Sequence, residues 1–505
     1  MKLDTTSERV GRTGSEESPA SSVALPEPYR TKAYGSLRVF ALIALFSIAA
    51  ICESARLSSV TSLSGADIWW HLRSGLWILQ NQALPHSGIY SQSLGSPWIA
   101  VSWAYDLVLA IAFQLLGLAL IPGMLMCFRV ALAVIVFLLA RGLRGRFWMA
   151  VGISAIAQYI LAVFSPTPLY CSILLFGLEL LLLFGAHEAN DDRVLFWLAP
   201  LFWVWANLSP EFVYGVAALL LFVLARMIER RGKLSGKMLA SVVISIVVTF
   251  VTPYLHGAWR SFFHTVTSAA NEHFPDHLAM RFHQPQDYLL LLLTMAAFLA
   301  LGLRRSRDLF QILLLAGCAS LSFYSQRDIW LVALASIAVI AESVRTTTAD
   351  KPTFPSQWKW VVAGSTAFVL IVAFSVIVPH QKHALLAKTA ATYPVAAADY
   401  IREHSLPQPL FNSYEWGGFL MWYQPEIPVA IDGRTDLYSD DAYVTYSKVM
   451  NADLPYTSYP AFAQARTILL PRHSIIAEAL SAVPAFKVIY QDEISTVLAP
   501  TAPEP

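Results

Sequence analysis

The sequence predicts a mainly α protein, a polytopic transmembrane helix bundle of roughly eleven to thirteen spans with a small C-terminal α/β domain. Three observations lead there. Hydrophobic residues make up 56% of the chain and charged residues 14%, against about 25% charged in soluble proteins. Apolar runs near the ~20 residues that cross a bilayer recur between residues 38 and 378. After about residue 380 the chain turns polar, and short β-rich runs alternate with helical ones.

Residues 1–37 hold Ser, Glu and Arg without an apolar run, and read as a disordered cytoplasmic tail. Spans are expected near 38–56, 101–119, 121–141, 147–164, 169–186, 194–207, 212–228, 238–253, 287–303, 309–324, 328–343 and 359–378. The runs are continuous and not alternating, which argues against a barrel. Basic loops orient the bundle: Arg141, Arg144 and Arg146; Arg230, Arg231, Lys233 and Lys237; Arg304, Arg305 and Arg307 are placed in the cytoplasm. The intervening loops and the tail then face outward. A cytoplasmic N-terminus with an external tail needs an odd number of crossings, whereas the runs above make an even set. The region 98–164 is where one of them must be missed, broken or re-entrant.

The four cysteines, Cys52, Cys127, Cys171 and Cys318, all fall in apolar segments and read as small core residues. A net charge of +1 without a basic, aromatic-interleaved patch gives no sign of a nucleic-acid partner.

The external loop 57–97 carries Gly65-Ala66-Asp67-Ile68-Trp69-Trp70-His71. Asp67 and His71 are four apart and share one helical face; Trp70 and Trp77 share a neighbouring face suited to a headgroup layer. Asp67 either takes a proton from an acceptor hydroxyl, or binds a cation that orients a phosphate, or simply complements a helix dipole. Asp106 lies near the outer end of the second span. Ionisable groups at that depth face a partner or a cavity, and Arg129 is its expected partner, with a second catalytic acid as the alternative. Glu53 and Glu179 also lie in apolar segments without an assigned role.

The turn Asn207-Leu208-Ser209-Pro210-Glu211 brings a third acid outward. Ser209 reads as a helix cap and Pro210 as a first helical residue, against a site role for Asn207 and Glu211. The loop 254–286 holds five histidines, His256, His264, His273, His277 and His283, at spacings that match no zinc motif. A phosphate-binding rim from Arg260, Arg281 and Arg327 is weighed against ordinary interfacial anchoring. In the tail (385–505), Glu415-Trp416-Gly417-Gly418 and Asp432-Gly433-Arg434-Thr435-Asp436 stand out. Asp432 and Arg434 either bind substrate beside a strand end or close a turn as an ion pair.

Asp67-Ile68-Trp69-Trp70-His71 with Gly75, Pro85 to Ser91, Trp98, Trp103, Trp205-Ala206-Asn207-Leu208, Pro253-Tyr254 and Gln326-Arg327 resemble bacterial GT-C membrane glycosyltransferases. Phe411-Asn412, Trp416-Gly417-Gly418 and Ile431-Asp432-Gly433-Arg434 resemble the tail of uncharacterised proteins of this kind. The resemblance implies a multi-pass protein of the bacterial inner membrane that takes a sugar from a polyprenyl-phosphate donor to an external glycan, lipid or protein acceptor, with inversion. It implies Asp67 as the catalytic base, although Ile68 stands where several such enzymes have a second acid. His71, Asp106 and Glu211 join the catalytic set; Arg281, Arg327, Trp70, Asn207, His256, Asp432 and Arg434 join the substrate set. A divalent cation is compatible with this chemistry and not demanded by any motif. A non-catalytic scaffold for polysaccharide assembly and a lipid or sugar transporter are the alternatives; a transporter is expected to show repeated halves and broken helices.

Overall fold

The computed structural model describes residues 27–56, 67–142, 146–232, 234–273, 276–304, 308–343, 357–380, 387 and 389–501. Fourteen helices form the first part: α1 (Glu27–Arg56), α2 (Asp67–Asn81), α3 (Trp103–Leu116), α4 (Leu120–Leu139), α5 (Phe147–Ile160), α6 (Pro168–Ala189), α7 (Leu198–Leu208), α8 (Phe212–Glu229), α9 (Gly236–Val247), α10 (Gly257–Thr267), α11 (Pro285–Arg304), α12 (Leu309–Tyr324), α13 (Ile329–Ser343) and α14 (Gln357–His380). Five described helical segments are long and apolar enough to cross a membrane: Trp103–Leu139, Pro168–Ala189, Phe212–Glu229, Pro285–Arg304 and Gln357–Ser375. Several others are apolar but shorter.

The expected disordered tail falls outside the described residues up to position 26. From Glu27 the chain is already helical, eleven residues before the apolar run, and Arg38 lies over the Phe147 ring at 5.8 Å. The side chains of Cys52 and Glu53, and Arg144, Lys233, Arg305 and Arg307, lie outside the described residues.

Side-chain contacts define two ends of the bundle. At the basic end Arg141 pairs with Glu342 and with Glu188, Arg146 donates to the Ala341 carbonyl at 2.6 Å, and Arg304 donates to the Glu342 carbonyl at 3.0 Å. His187 meets Asp308 at 2.6 Å, and Arg230 donates to Asn190 at 2.7 Å. The opposite end gathers α2, α10, the turns at 164–168 and 207–211, and the segment 276–280 paired with 323–327 through Gln326 N–H to Leu278 O and Arg327 N–H to Asp276 O.

The region 98–164 departs from the expected spans in one respect. By composition Trp103–Leu139 is one apolar stretch, but Gly117 breaks it at φ 58°, a conformation that suits a residue without Cβ. Both ends of α3 stay at the end opposite the basic loops. Trp103 Nε1 donates to Asn207 at 3.0 Å, Tyr105 donates to the Pro166 carbonyl, and the Phe113 ring lies edge-on to Trp422 of the tail. α3 therefore runs across that end, and α4 alone descends to Arg141.

The tail forms α15 (Val395–Glu403), β1 (Leu410–Asn412), α16 (Tyr414–Tyr423), α17 (Asp440–Met450), α18 (Pro460–Ala463), β2 (Thr467–Pro471), α19 (Ile475–Ser481), β3 (Phe486–Gln491) and β4 (Ser495–Pro500). The sheet order is β1-β2-β4-β3; β1 and β2 are parallel, and β2–β4 and β4–β3 are antiparallel. The apolar run Val429-Ala430-Ile431, which reads as a strand leading into Asp432, is a single bridge instead, Val429 pairing in parallel with Ser91. The reason lies in the surroundings: the backbone of 429–432 threads between α16 and the loop after α2, so its polar groups bond Tyr90, Gln92 and the Asn412 side chain. Phe419 and Tyr393 of the tail share one apolar core with Ile68, Trp69 and Leu72 of α2.

Candidate functional site

α2 begins at Asp67, where a carboxylate complements the exposed amides of the first turn. Its Ile68, Trp69, Leu72, Gly75 and Ile78 are buried. Gly75 lets the helix touch the α3 backbone: a Cβ there would sit 1.9 Å from the Asp106 carbonyl oxygen. That approach aligns His71 with Asp106, Nδ1 to Oδ1 at 2.6 Å, both essentially inaccessible to solvent. The expected Asp106–Arg129 pair is replaced by this one. Arg129 instead donates to the Leu161 and Ala162 carbonyls at 2.7 and 2.6 Å, closing the end of α5. The second Asp106 oxygen is buried without a hydrogen bond.

Asp67 Oδ1 accepts from Trp70 Nε1 at 3.2 Å. Burial pushes its carboxyl above the ordinary value, and His71, the Trp70 bond and Arg327 counter that rise only in part. The tail closes one side of it. At Gly433 a Cβ would lie 2.4 Å from Asp67 Oδ1 and 2.9 Å from Trp70 Nε1. The Asp432-Gly433-Arg434 turn thus abuts the carboxylate with its backbone.

That turn is held rigidly. Asp432 accepts three bonds from Arg434, from its backbone N–H at 2.9 Å, Nε at 2.8 Å and a terminal nitrogen at 2.7 Å, and a fourth from Tyr438 at 2.8 Å. Burial works against ionisation of Asp432, but the Arg434 guanidinium and its bonds outweigh it and hold the carboxyl below the usual range. Arg434 also donates to the Ile89 carbonyl at 2.9 Å and lies 4.9 Å from the Trp98 ring. Trp98 Nε1 donates to Asp436 at 3.0 Å. Both members of the pair are inaccessible to solvent, so their charges serve the joint between tail and loop and present nothing to a diffusible ligand.

Arg327 is the cation near Asp67. It donates to Glu211 Oε1 at 2.7 Å and lies 3.3 Å from His277 Nε2. Burial lowers the His277 pKa to about 4, and Arg327 adds to the effect, so Nε2 is a neutral acceptor there. Ser209 does not cap a helix amide. Its hydroxyl donates to Glu211 and accepts from Ser172 at 2.9 Å, while Glu211 itself stands at the cap position of α8, which places Pro210 before the helix.

The other candidates fall elsewhere. Asn207 bridges helices, accepting from Trp103 and donating to the Trp203 carbonyl at 2.8 Å. His256 is exposed at the start of α10, and Arg281 is exposed just past Met280, toward α11 and away from the Arg327 end of the paired segment. Among the described residues no group of three His, Cys, Asp or Glu is placed to hold a metal ion. Sequence reasoning missed Gly433, Asp276 and His277 as neighbours of Asp67 and Arg327. The signal available was the Gly inside Asp432-Gly433-Arg434, a residue used where backbones approach closely. No protein-family model matches the chain, and no curated protein matches it.

Proposed function

We propose that the chain is an inverting membrane glycosyltransferase that moves a sugar from a polyprenyl-phosphate carrier to a hydroxyl-bearing acceptor outside the cytoplasm of a bacterial cell. The observation that carries this reading is the placement of Asp67, backed by the His71–Asp106 pair, within electrostatic reach of Arg327 at one end of an apolar bundle. Asp67 would take the acceptor proton as the acceptor oxygen attacks the anomeric carbon; the bond to the carrier phosphate breaks, and Arg327 receives the phosphate charge after exchanging its bond with Glu211. In this arrangement α2, α3 and α10 would lie across the outer end, and eleven described helices (α1, α4 to α9 and α11 to α14) would cross. An odd number of crossings would put the two ends of the chain on opposite sides, and basic loops in the cytoplasm would then put the tail outside. The test is transfer by membranes holding the chain, with a panel of radiolabelled polyprenyl-phosphate sugars, with and without a chelator. No transfer above that of empty membranes overturns the reading.

One observation favours a second reading, a scaffold for envelope assembly: the tail turn closes over one side of Asp67. No transfer by the wild-type chain, with Asp67→Asn as competent as wild type in supporting envelope assembly, would favour it.

A further inference from the structure

Three glycines stack backbones around Asp67. Gly75 brings α2 onto Asp106, Gly417 brings α16 onto the 431–432 backbone with a would-be Cβ 2.0 Å from the Ile431 carbonyl oxygen, and Gly433 meets Asp67 and Trp70. They differ in what a side chain would strike. At Gly75 and Gly417 the nearest atoms belong to backbone, so the packing itself must yield. At Gly433 they are the free end of the Asp67 carboxylate and the rim of the Trp70 indole. A methyl group there moves the carboxylate and leaves the fold standing.

The turn that carries Gly433 has little freedom to retreat. Four bonds on the Asp432 carboxylate, the Tyr443 hydroxyl on the Asp432 carbonyl at 2.8 Å and the Arg434 bond to Ile89 fix it on both sides. The wall against Asp67 is therefore rigid, and the carboxylate rotamer is chosen by the contact between a tail residue and a loop residue 366 positions apart in sequence (433 − 67).

We propose that Gly433 is a positioning residue for Asp67: its bare backbone sets the carboxylate in the rotamer that accepts from Trp70 Nε1, so the outer tail completes the site of the bundle. The proposal rests on the transferase reading for its kinetic test and has a second test independent of it. Gly433→Ala in the full chain is expected to lower kcat at least ~10-fold, the scale of a reacting group misplaced by less than about 1 Å, with the donor KM nearly unchanged. Its melting temperature should stay near wild type. Gly95→Ala, at an exposed glycine with nothing within 4 Å, should match wild type in all three measures. Gly417→Ala should lose thermal stability. A wild-type kcat for Gly433→Ala, or a loss that follows melting temperature as in Gly417→Ala, overturns the proposal.

If the wild-type chain transfers no sugar, the transferase reading falls and labelling decides the positioning claim. Reaction of Asp67 with a water-soluble carbodiimide, read by mass spectrometry, should be several-fold faster in Gly433→Ala than in wild type, because the displaced carboxylate leaves its shelter. Equal rates overturn it.

Discussion

His71 Nδ1 and Asp106 Oδ1 stand 2.6 Å apart, and the contact joins the helix that carries Asp67 to a second helix lying across the same end of the bundle. Asp106 fixes the ring, so the His71 Nε2 edge has a set direction. Asp106→Asn keeps the shape and removes the charge that favours an Nδ1 proton. Transfer is expected to fall at least ~10-fold. Equal transfer in matched membranes would leave the pair a purely structural link.

Asp67→Asn separates chemistry from folding. It removes the base and keeps size, so transfer should drop at least ~10²-fold, the usual contribution of a positioned general base. Thermal stability should hold. Asp432→Asn should do the reverse in rank: it leaves buried Arg434 without its counter-charge, a loss of about 3–5 kcal/mol that shows first as tail unfolding. Transfer and melting temperature of both variants, measured on the same protein amounts, check the contrast.

His277 makes a contribution of definite sign to the pH dependence of stability. Its folded pKa of about 4 lies below the ordinary 6.5, so the fold prefers the neutral ring. The corresponding stability is complete above 6.5 and is lost as the pH falls from 6.5 toward 4. His277→Gln retains an acceptor for Arg327 without the titration and should flatten the fall in melting temperature across that window. An unchanged slope would assign the acid sensitivity to other groups.

A cysteine at Glu478, an exposed position on α19, tests the side of the membrane. A membrane-impermeant thiol reagent should label it in cells whose outer membrane is permeabilised. Labelling only after lysis would reverse the orientation.

The bundle was legible because hydrophobic runs of helical length carry their own signal. The break near Gly117 was legible as the gap between the runs 101–119 and 121–141; the course of α3 across one end of the bundle was not, since α3 is as apolar as a span. Its apolar residues face the tail and neighbouring turns, while Val108, Ile111 and Leu115 are exposed, and composition does not distinguish these. In the tail, the alternation of short β-rich and helical runs was readable from local pattern, whereas 429–431 reads as a strand and is occupied by a single bridge to Ser91. At the site, Asp67 and His71 were legible as an i,i+4 pair. Their partner Asp106 was named for other roles and Gly433 for none, because which residues meet depends on backbone approach at Gly75 and Gly433 and not on spacing. The Asp432–Arg434 pair was readable as a turn, but its burial against Ile89 and Trp98 follows from long-range docking alone.

The parallel bridge between Ser91 and Val429 joins a segment made early to one made late. During synthesis the loop with Trp70, Ile89 and Trp98 emerges hundreds of residues before the turn that covers it, and its indoles stay uncovered for that interval. The neighbourhood of Asp67 is thus complete only once residues 429–433 have been made. A chain interrupted before residue 429 carries Asp67 without the turn that abuts it and leaves the indoles of Trp70 and Trp98 without their tail partners.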